Sequence, residues 1–223
     1  MSYMGSLIIV ATPIGNLKDI TFRAVEILKN VDYILCEDTR ITGNLLSAYD
    51  IHKKLSVIND FNEERVIDKV IGDLLAGKRV ALVSDAGTPL VSDPGFKLVR
   101  AARSKNINVE TAPGPVAAIA ALVISGLPCD KFIFLGFLPK KDGKRIELLK
   151  NIKMSISCVK STVIIYESPF RVLKTLEQIQ QVFGDIKIVV VRELTKMHEE
   201  IVCGNISNIL DKIKTKGELV ILF

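Results

Sequence analysis

Short apolar runs bounded by proline, glycine or aspartate alternate with stretches of helical apolar spacing through the first half of the chain. Leu7 to Ala11 (LIIVA) stops at Thr12-Pro13; Val31 to Cys36, Leu55 to Ile58 and Arg79 to Ser84 are of the same kind, and another strand is expected near Val109. A run that is apolar at successive positions marks a strand covered on both faces. Between these runs, Ile20, Ala24, Ile27 and Leu28 follow Asp19 as an N-cap, and Ile67, Ile71, Leu74 and Leu75 precede Gly77 as a C-cap glycine; residues 94–104 are also helix-like. Strands alternating with helices of this length predict a parallel α/β sheet.

Pro113-Gly114-Pro115 breaks that rhythm, and Ser125-Gly126-Leu127-Pro128 breaks it again after an alanine-rich helix from Val116 to Ile124. The expected organisation is an N-terminal α/β domain over 1–115, a linker helix over 116–128 and a C-terminal α/β domain with a mixed sheet over 129–223. The 223 residues suffice for two such domains of roughly 100 residues each. The second half offers strands at Phe132–Phe137, Thr162–Tyr166, Lys187–Val191 and Glu218–Leu222. Val172, Leu176, Ile179 and Phe183 mark one helix there, and Ile206, Ile209, Leu210 and Ile213 another. Two α/β domains predict a cleft, with ligands at the carboxyl ends of parallel strands.

Composition narrows the class. Hydrophobic residues at 48% with 25% charged residues exclude disorder, collagen and coiled coil. The longest apolar run, Val116 to Ile124, is nine residues, against the ~20 of a membrane helix. Met1 to Ser6 has no basic region ahead of its short apolar stretch, so no signal peptide is expected. Cys36, Cys129, Cys158 and Cys203 form no Cys-x-x-Cys spacing and no disulfide framework, which predicts a soluble protein of a reducing compartment, the cytoplasm. The net charge of +5 is concentrated: residues 131–160 hold eight Lys/Arg and two Asp/Glu, whereas the rest of the chain has 22 basic and 23 acidic residues. Such a window attracts a polyanion, nucleic acid above all, unless it is only a solubilising lysine face.

Most catalytic constellations are missing. His52 and His198 stand far from any metal-ligand spacing, and no G-x-S-x-G elbow or phosphate-binding G-x-x-x-x-G-K-[ST] loop occurs. Neither a metal, a serine hydrolase nor a P-loop nucleotidase is expected. Present instead are five breaker-rich or charged segments, each placed after a predicted strand: Ala11 to Leu17 (ATPIGNL), Glu37 to Arg40 (EDTR), Ser84 to Gly95 (SDAGTPLVSDPG), Pro113-Gly114-Pro115 and Arg192 to Lys196 (RELTK). A glycine turn between strand and helix lets backbone approach a ligand. The twelve residues from Ser84 carry more Asp, Gly and Pro than a turn requires and offer carboxylates and backbone groups to a polar, partly cationic ligand.

Together and in this order, these segments resemble the tetrapyrrole methylase superfamily of S-adenosylmethionine-dependent methyltransferases, and within it the branch that 2′-O-methylates a cytidine of small-subunit (16S) ribosomal RNA. The resemblance runs from Leu7 to Phe223. It implies two α/β domains with the cofactor in the cleft between them, usually in a homodimer. Carried over by position, it implies cofactor contacts at Ile14, at Ser84, Asp85 and Thr88, at Val116 and Ala117, at Tyr166 and Glu167, and at Leu194 and Thr195.

This chain departs from the branch in three places. Where the branch has His-Glu-His-Asn-Glu it reads Asn59-Asp60-Phe61-Asn62-Glu63, without either histidine; Pro113-Gly114-Pro115-Val116 replaces Pro-Gly-Pro-Ser; and many relatives continue past the last strand into a small extra domain, whereas this sequence stops at Phe223. Ribose methylation needs the hydroxyl aligned with an activated methyl carbon and its proton removed. Asp38, Arg40 and Glu63 are the candidates on the substrate side: Asp38 or Glu63 takes the proton, and Arg40 holds a phosphate bidentately. A purely structural Asp38–Arg40 pair is the competing expectation. The expected partner is small-subunit ribosomal RNA, free or in the assembled subunit; a small-tetrapyrrole methylase and a non-catalytic, cofactor-binding ribosome-assembly factor are the alternatives.

Overall fold

In the computed structural model, residues 5–59 and 63–223 are described. The chain divides into two compact units, Met1–Val116 and Ala117–Phe223.

The first unit runs β1 (Ser6–Val10), α1 (Phe22–Asn30), β2 (Tyr33–Cys36), α2 (Thr39–Ala48), β3 (Lys54–Val57), α3 (Glu63–Leu75), β4 (Val80–Leu82), α4 (Phe96–Ser104) and β5 (Asn108–Ala112). Its sheet has the order β3-β2-β4-β1-β5, and every pairing in it is parallel. The apolar runs are continuous because alternate residues feed two cores. Leu7, Leu35 and Leu82 pack with Leu74 of α3 and Leu98 of α4. Ile8, Ile34 and Ala81 pack with Ala24 and Leu28 of α1 and Leu46 of α2. Helices thus cover both faces, as an all-parallel sheet requires. The connections after β1 and β2 travel one way along the sheet and those after β3 and β4 the other, so the chain parts between neighbouring β2 and β4. Loops at the carboxyl ends of such strands frame a ligand crevice.

The second unit holds α5 (Ala117–Ser125), β6 (Phe132–Phe137), α6 (Asp142–Cys158), β7 (Thr162–Glu167), α7 (Val172–Phe183), β8 (Lys187–Arg192), β9 (Glu200–Asn205), α8 (Ile206–Ile209) and β10 (Leu219–Leu222). The sheet order is β6-β7-β10-β8-β9; β6 and β7 are parallel and the other pairs antiparallel, so the sheet is mixed. Val163, Ile165, Val190 and Ile221 meet Leu149 of α6 and Leu176 and Ile179 of α7 on one face. Residues of the other parity, among them Ile164, Val189 and Val220, are also buried, and α5 packs against β7, β8 and β10.

Several local expectations change. Asp19 does not cap α1: Leu17–Asp19 form a 3-10 turn, and Thr21 is the cap, its hydroxyl accepting from the Ala24 N–H at 3.1 Å. The helix expected over 206–213 is α8 followed by a 3-10 turn at Leu210–Lys212. Helices α2 and α6 and strand β9 are not among the sequence expectations, and α6 carries no clear periodic signal. In α6 the inward positions begin with Arg145 ahead of Leu149 and Ile152, so a charged residue occupies the apolar stripe. Among the described residues no helix is long and apolar enough to cross a membrane, and all four cysteines are free.

Candidate functional site

In the first unit, loops from the carboxyl ends of β1, β2 and β4 are bonded to one another. Thr12 and Gly87 exchange backbone hydrogen bonds of 2.8 and 3.1 Å, joining the loop after β1 to the loop after β4. The Thr12 hydroxyl donates to the Ser84 carbonyl at 3.2 Å, and the Ser84 hydroxyl donates to the Gly87 carbonyl at 3.2 Å. The Thr88 hydroxyl donates to the Pro115 carbonyl at 3.0 Å and brings in the Pro-Gly-Pro segment. From the loop after β2, the Asp38 N–H donates to Asp85 Oδ1 at 3.1 Å. Ile14, Ser84, Asp85, Thr88, Asp38 and Arg40 are therefore brought together within one unit.

Backbone conformation in this region is unusual. Gly87 has φ +82°, and a Cβ there would stand 3.2 Å from Ile14 Cγ2, so the position takes glycine for both reasons. Leu90 and Ser92 both adopt φ +72°. Left-handed non-glycine residues cost free energy that surrounding structure must hold, and they gather where a loop has a task.

The acidic residues differ in character. Asp38 caps α2, accepting from the Arg40 N–H at 2.8 Å, and its carboxylate also takes Arg40 Nε at 3.0 Å and Nη2 at 2.5 Å. These bonds hold its pKa at about 2. Asp38 is accordingly a poor proton acceptor, and the structural pairing weighed against that role is present. Burial pushes the Asp85 carboxyl above the usual range, against the opposing hydrogen bond from the Asp38 backbone. Asp93 is pushed up to about 6, first by burial and then by the charge of Asp85, while a hydrogen bond with Ser84 opposes the shift. A carboxylate raised toward neutrality is better matched to general-base work than one held low. Asp93 lies in the Ser84 to Gly95 loop and is not singled out by sequence, because nothing in Val91-Ser92-Asp93-Pro94 signals which side chain turns inward. Glu63 opens α3, but its side chain lies outside what is described, as do Asp60, Phe61 and Asn62. Asn59 is the one described residue of that substituted segment ahead of Glu63.

In the second unit, Tyr166 and Ala117 come together: the Tyr166 hydroxyl accepts from the Ala118 N–H at 3.0 Å, in the first turn of α5. Val116 closes the first unit immediately before Ala117. Strand alternation sends Glu167 to the opposite face, where it is buried. Its carboxylate accepts from the Ser168 N–H at 2.7 Å, Arg171 Nε at 2.9 Å and Thr175 Oγ1 at 2.7 Å. Glu167 thus fastens β7 to α7. Leu194 is buried in the turn after β8, and Thr195 stands at φ +63° with its N–H donating to Glu199 Oε2 at 2.6 Å.

The basic window is less uniform than its sequence. Lys131, Lys140, Lys141, Lys144, Lys150, Lys153 and Lys160 are exposed. Arg145 is 1% exposed and is bonded to Gln178, to Asp142 at 2.5 Å and to the Pro139 carbonyl at 3.2 Å. It belongs to the core and not to any surface for a polyanion. No group of His, Cys, Asp or Glu among the described residues is arranged to hold a metal ion.

The family model for Tetrapyrrole (Corrin/Porphyrin) Methylases matches residues 6–210. The chain is 45% identical over 225 residues to the ribosomal RNA small subunit methyltransferase I of Rickettsia prowazekii, covering 100% of this chain and 79% of that one. It is 44% identical over 222 residues to the protein of the same name from Thermotoga maritima, covering 98% of each. Among solved structures it resembles diphthine synthase, with a TM-score of 0.71 at 14% identity over 98% of this chain and 89% of that one. It also resembles the cobalt precorrin-4 methyltransferase CbiF, with a TM-score of 0.70 at 18% identity over 99% and 95% of the two chains. At these identities the structural likeness speaks for the fold.

Proposed function

The chain belongs to the tetrapyrrole (corrin/porphyrin) methylase family, and on that premise we propose that it methylates small-subunit ribosomal RNA, taking the methyl group from S-adenosylmethionine and placing it on the 2′-oxygen of a cytidine ribose. The observation that carries this reading is 44% identity, over 98% of both chains, to a protein named for the methylation of that RNA. The same reading takes the protein to be cytoplasmic and homodimeric, with the RNA met free or in the assembled subunit.

The first unit's loops fit such a cofactor in their chemistry. Asp85 and Asp93 supply carboxylates for a cationic centre, Ile14 an apolar wall, and Thr88 a hydroxyl at the Pro-Gly-Pro segment. Ser84 and Val116, with Ala117, Tyr166, Leu194 and Thr195 of the second unit, are assigned to it by family position. Glu167, also assigned by position, serves indirectly by holding the turn after Tyr166. S-adenosylmethionine, when bound, supplies a methyl carbon activated by its sulfonium. What remains for the protein is to align the ribose hydroxyl and receive its proton. Arg40 is exposed; Asp38 takes its Nε and Nη2 at the first turn of α2, and the remaining edge of the guanidinium holds the phosphate next to the target ribose. With Asp38 held low, Glu63 is the carboxylate assigned to the proton.

The test is transfer of labelled methyl from S-adenosylmethionine to small ribosomal subunits from a strain lacking the modification. Label at a ribose 2′-oxygen of the RNA is expected. Absence of label, with cofactor binding verified in the same preparation, overturns the reading.

A further inference from the structure

β6 contains a bulge. Phe134 pairs with Ile164 but Phe137 pairs with Tyr166, so three residues of β6 span two of β7, and Gly136 within the irregularity has φ +61°. One inserted residue reverses the face of every side chain after it. Ile133 and Leu135 pack against the core, and unbroken alternation would send Phe137 after them. Leu138 enters the core instead, at 2% exposure, and Phe137 is left 57% exposed with its ring edge-on to Tyr166 at 5.8 Å.

The neighbouring turn presents a second ring. Phe170, between β7 and α7, is 94% exposed. Both turns are fastened from beneath: Arg171, paired with Glu167 at 2.6 Å, donates to the Leu138 carbonyl at 3.2 Å, and Arg145 donates to the Pro139 carbonyl at 3.2 Å. Asp142 is taken up by Arg145 and Lys174. The segment that follows Phe137 then exposes Lys140 and Lys141, which make no ion pair with any described residue, and it carries no carboxylate before Asp142.

We propose that Phe137 and Phe170, with Lys140 and Lys141, form the surface that receives an unpaired strand of the RNA substrate: bases stack on the two rings and phosphates lie against the two lysines. The inference rests on the proposed RNA substrate. Exposed aromatic rings on a braced backbone, beside two cations that form no ion pair with any described residue, match the two recurring parts of single-strand recognition. A ribose 2′-hydroxyl is also most accessible where the strand is unpaired.

The test uses the full chain and a short fluorescein-labelled, cytidine-rich oligoribonucleotide, single-stranded or annealed to its complement, read by fluorescence anisotropy. Phe170→Ala and Phe137→Ala are expected to weaken single-strand binding by roughly five-fold or more each, Phe170→Trp to retain it, and duplex to bind less tightly than the single strand. Lys140→Ala and Lys141→Ala are expected to lower the slope of log affinity against log salt by about one each. Thermal melts check that the variants are folded, which the exposure of Phe170 favours. Parental affinity in both alanine variants, or equal binding of duplex and single strand, overturns the proposal. Parent protein that labels ribosomal RNA while both alanine variants bind and label like the parent overturns this surface and leaves the function standing. Ring-dependent single-strand binding with no labelling of any ribosomal RNA supports the surface and overturns the function.

Discussion

The backbone N–H of Asp38 donates to the carboxylate of Asp85 at 3.1 Å, and this bond joins the loops after β2 and β4 where the first sheet changes direction. Forty-seven residues separate the two in sequence. The bond sets Arg40, which Asp38 holds, and Asp85, assigned to the cofactor, at the carboxyl ends of neighbouring strands.

Arg40 is assigned to the RNA, so Arg40→Ala is expected to lower methyl transfer by roughly 100-fold with cofactor affinity unchanged by calorimetry. Freed from Arg40, Asp38 returns toward the ordinary carboxylate range. Equal losses of transfer and cofactor affinity would instead make the pair a brace for the loop.

Asp93 gives the fold a pH signature. Its carboxyl titrates at about 6 in the folded protein and at 3.8 by its ordinary value. The native state therefore holds this proton more tightly than the unfolded chain, so stability falls as pH rises through that window, and the cost is complete above it. That cost is at most about 3 kcal/mol, and less to the extent that water reaches the side chain. Asp93→Asn is expected to raise the melting temperature at neutral pH and to flatten its dependence across the window. A variant whose pH profile runs parallel to the parent's would show that Asp93 is not the source.

Gly87→Ala tests the junction of the loops after β1 and β4. The φ of +82° and the 3.2 Å approach to Ile14 Cγ2 both oppose a methyl group. A loss of about 1–2 kcal/mol in urea denaturation is expected, with weaker S-adenosylmethionine binding because the Thr12–Gly87 pairing shifts. A stability loss without any change in cofactor affinity would remove this junction from the cofactor site.

Arg145→Ala separates buried from surface charge in the basic window. Removing the guanidinium leaves Gln178 without its buried partner, while Lys174 still holds Asp142, and a loss of about 1–3 kcal/mol is expected. Measured well below its melting temperature, the variant is expected to keep the parent's slope of log RNA affinity against log salt, unlike Lys140→Ala, even where loss of the bond to the Pro139 carbonyl lowers the affinity itself. A slope that falls with Arg145 in a folded variant would place that charge at the surface.

The order of strands and helices in the first unit is readable from the sequence because each apolar run is local, and burial on both faces makes it continuous. The loops from Ala11 and Ser84 are readable because glycine, proline and aspartate limit the backbone wherever they stand. Other features depend on partners distant in the chain. Arg145 reads as surface charge until Gln178, thirty-three residues away, is placed against it. Asp93 differs from the other aspartates only through its burial near Ser84. Phe137 would alternate into the core had the pairing of β6 with β7 not inserted a residue at Gly136. Composition and short-range spacing alone determine which segments are strand, helix or breaker, since those preferences act over a few residues. Which charges are buried, which carboxyl holds its proton and which ring meets solvent are decided by tertiary structure, because desolvation and register exist only once distant segments have packed together.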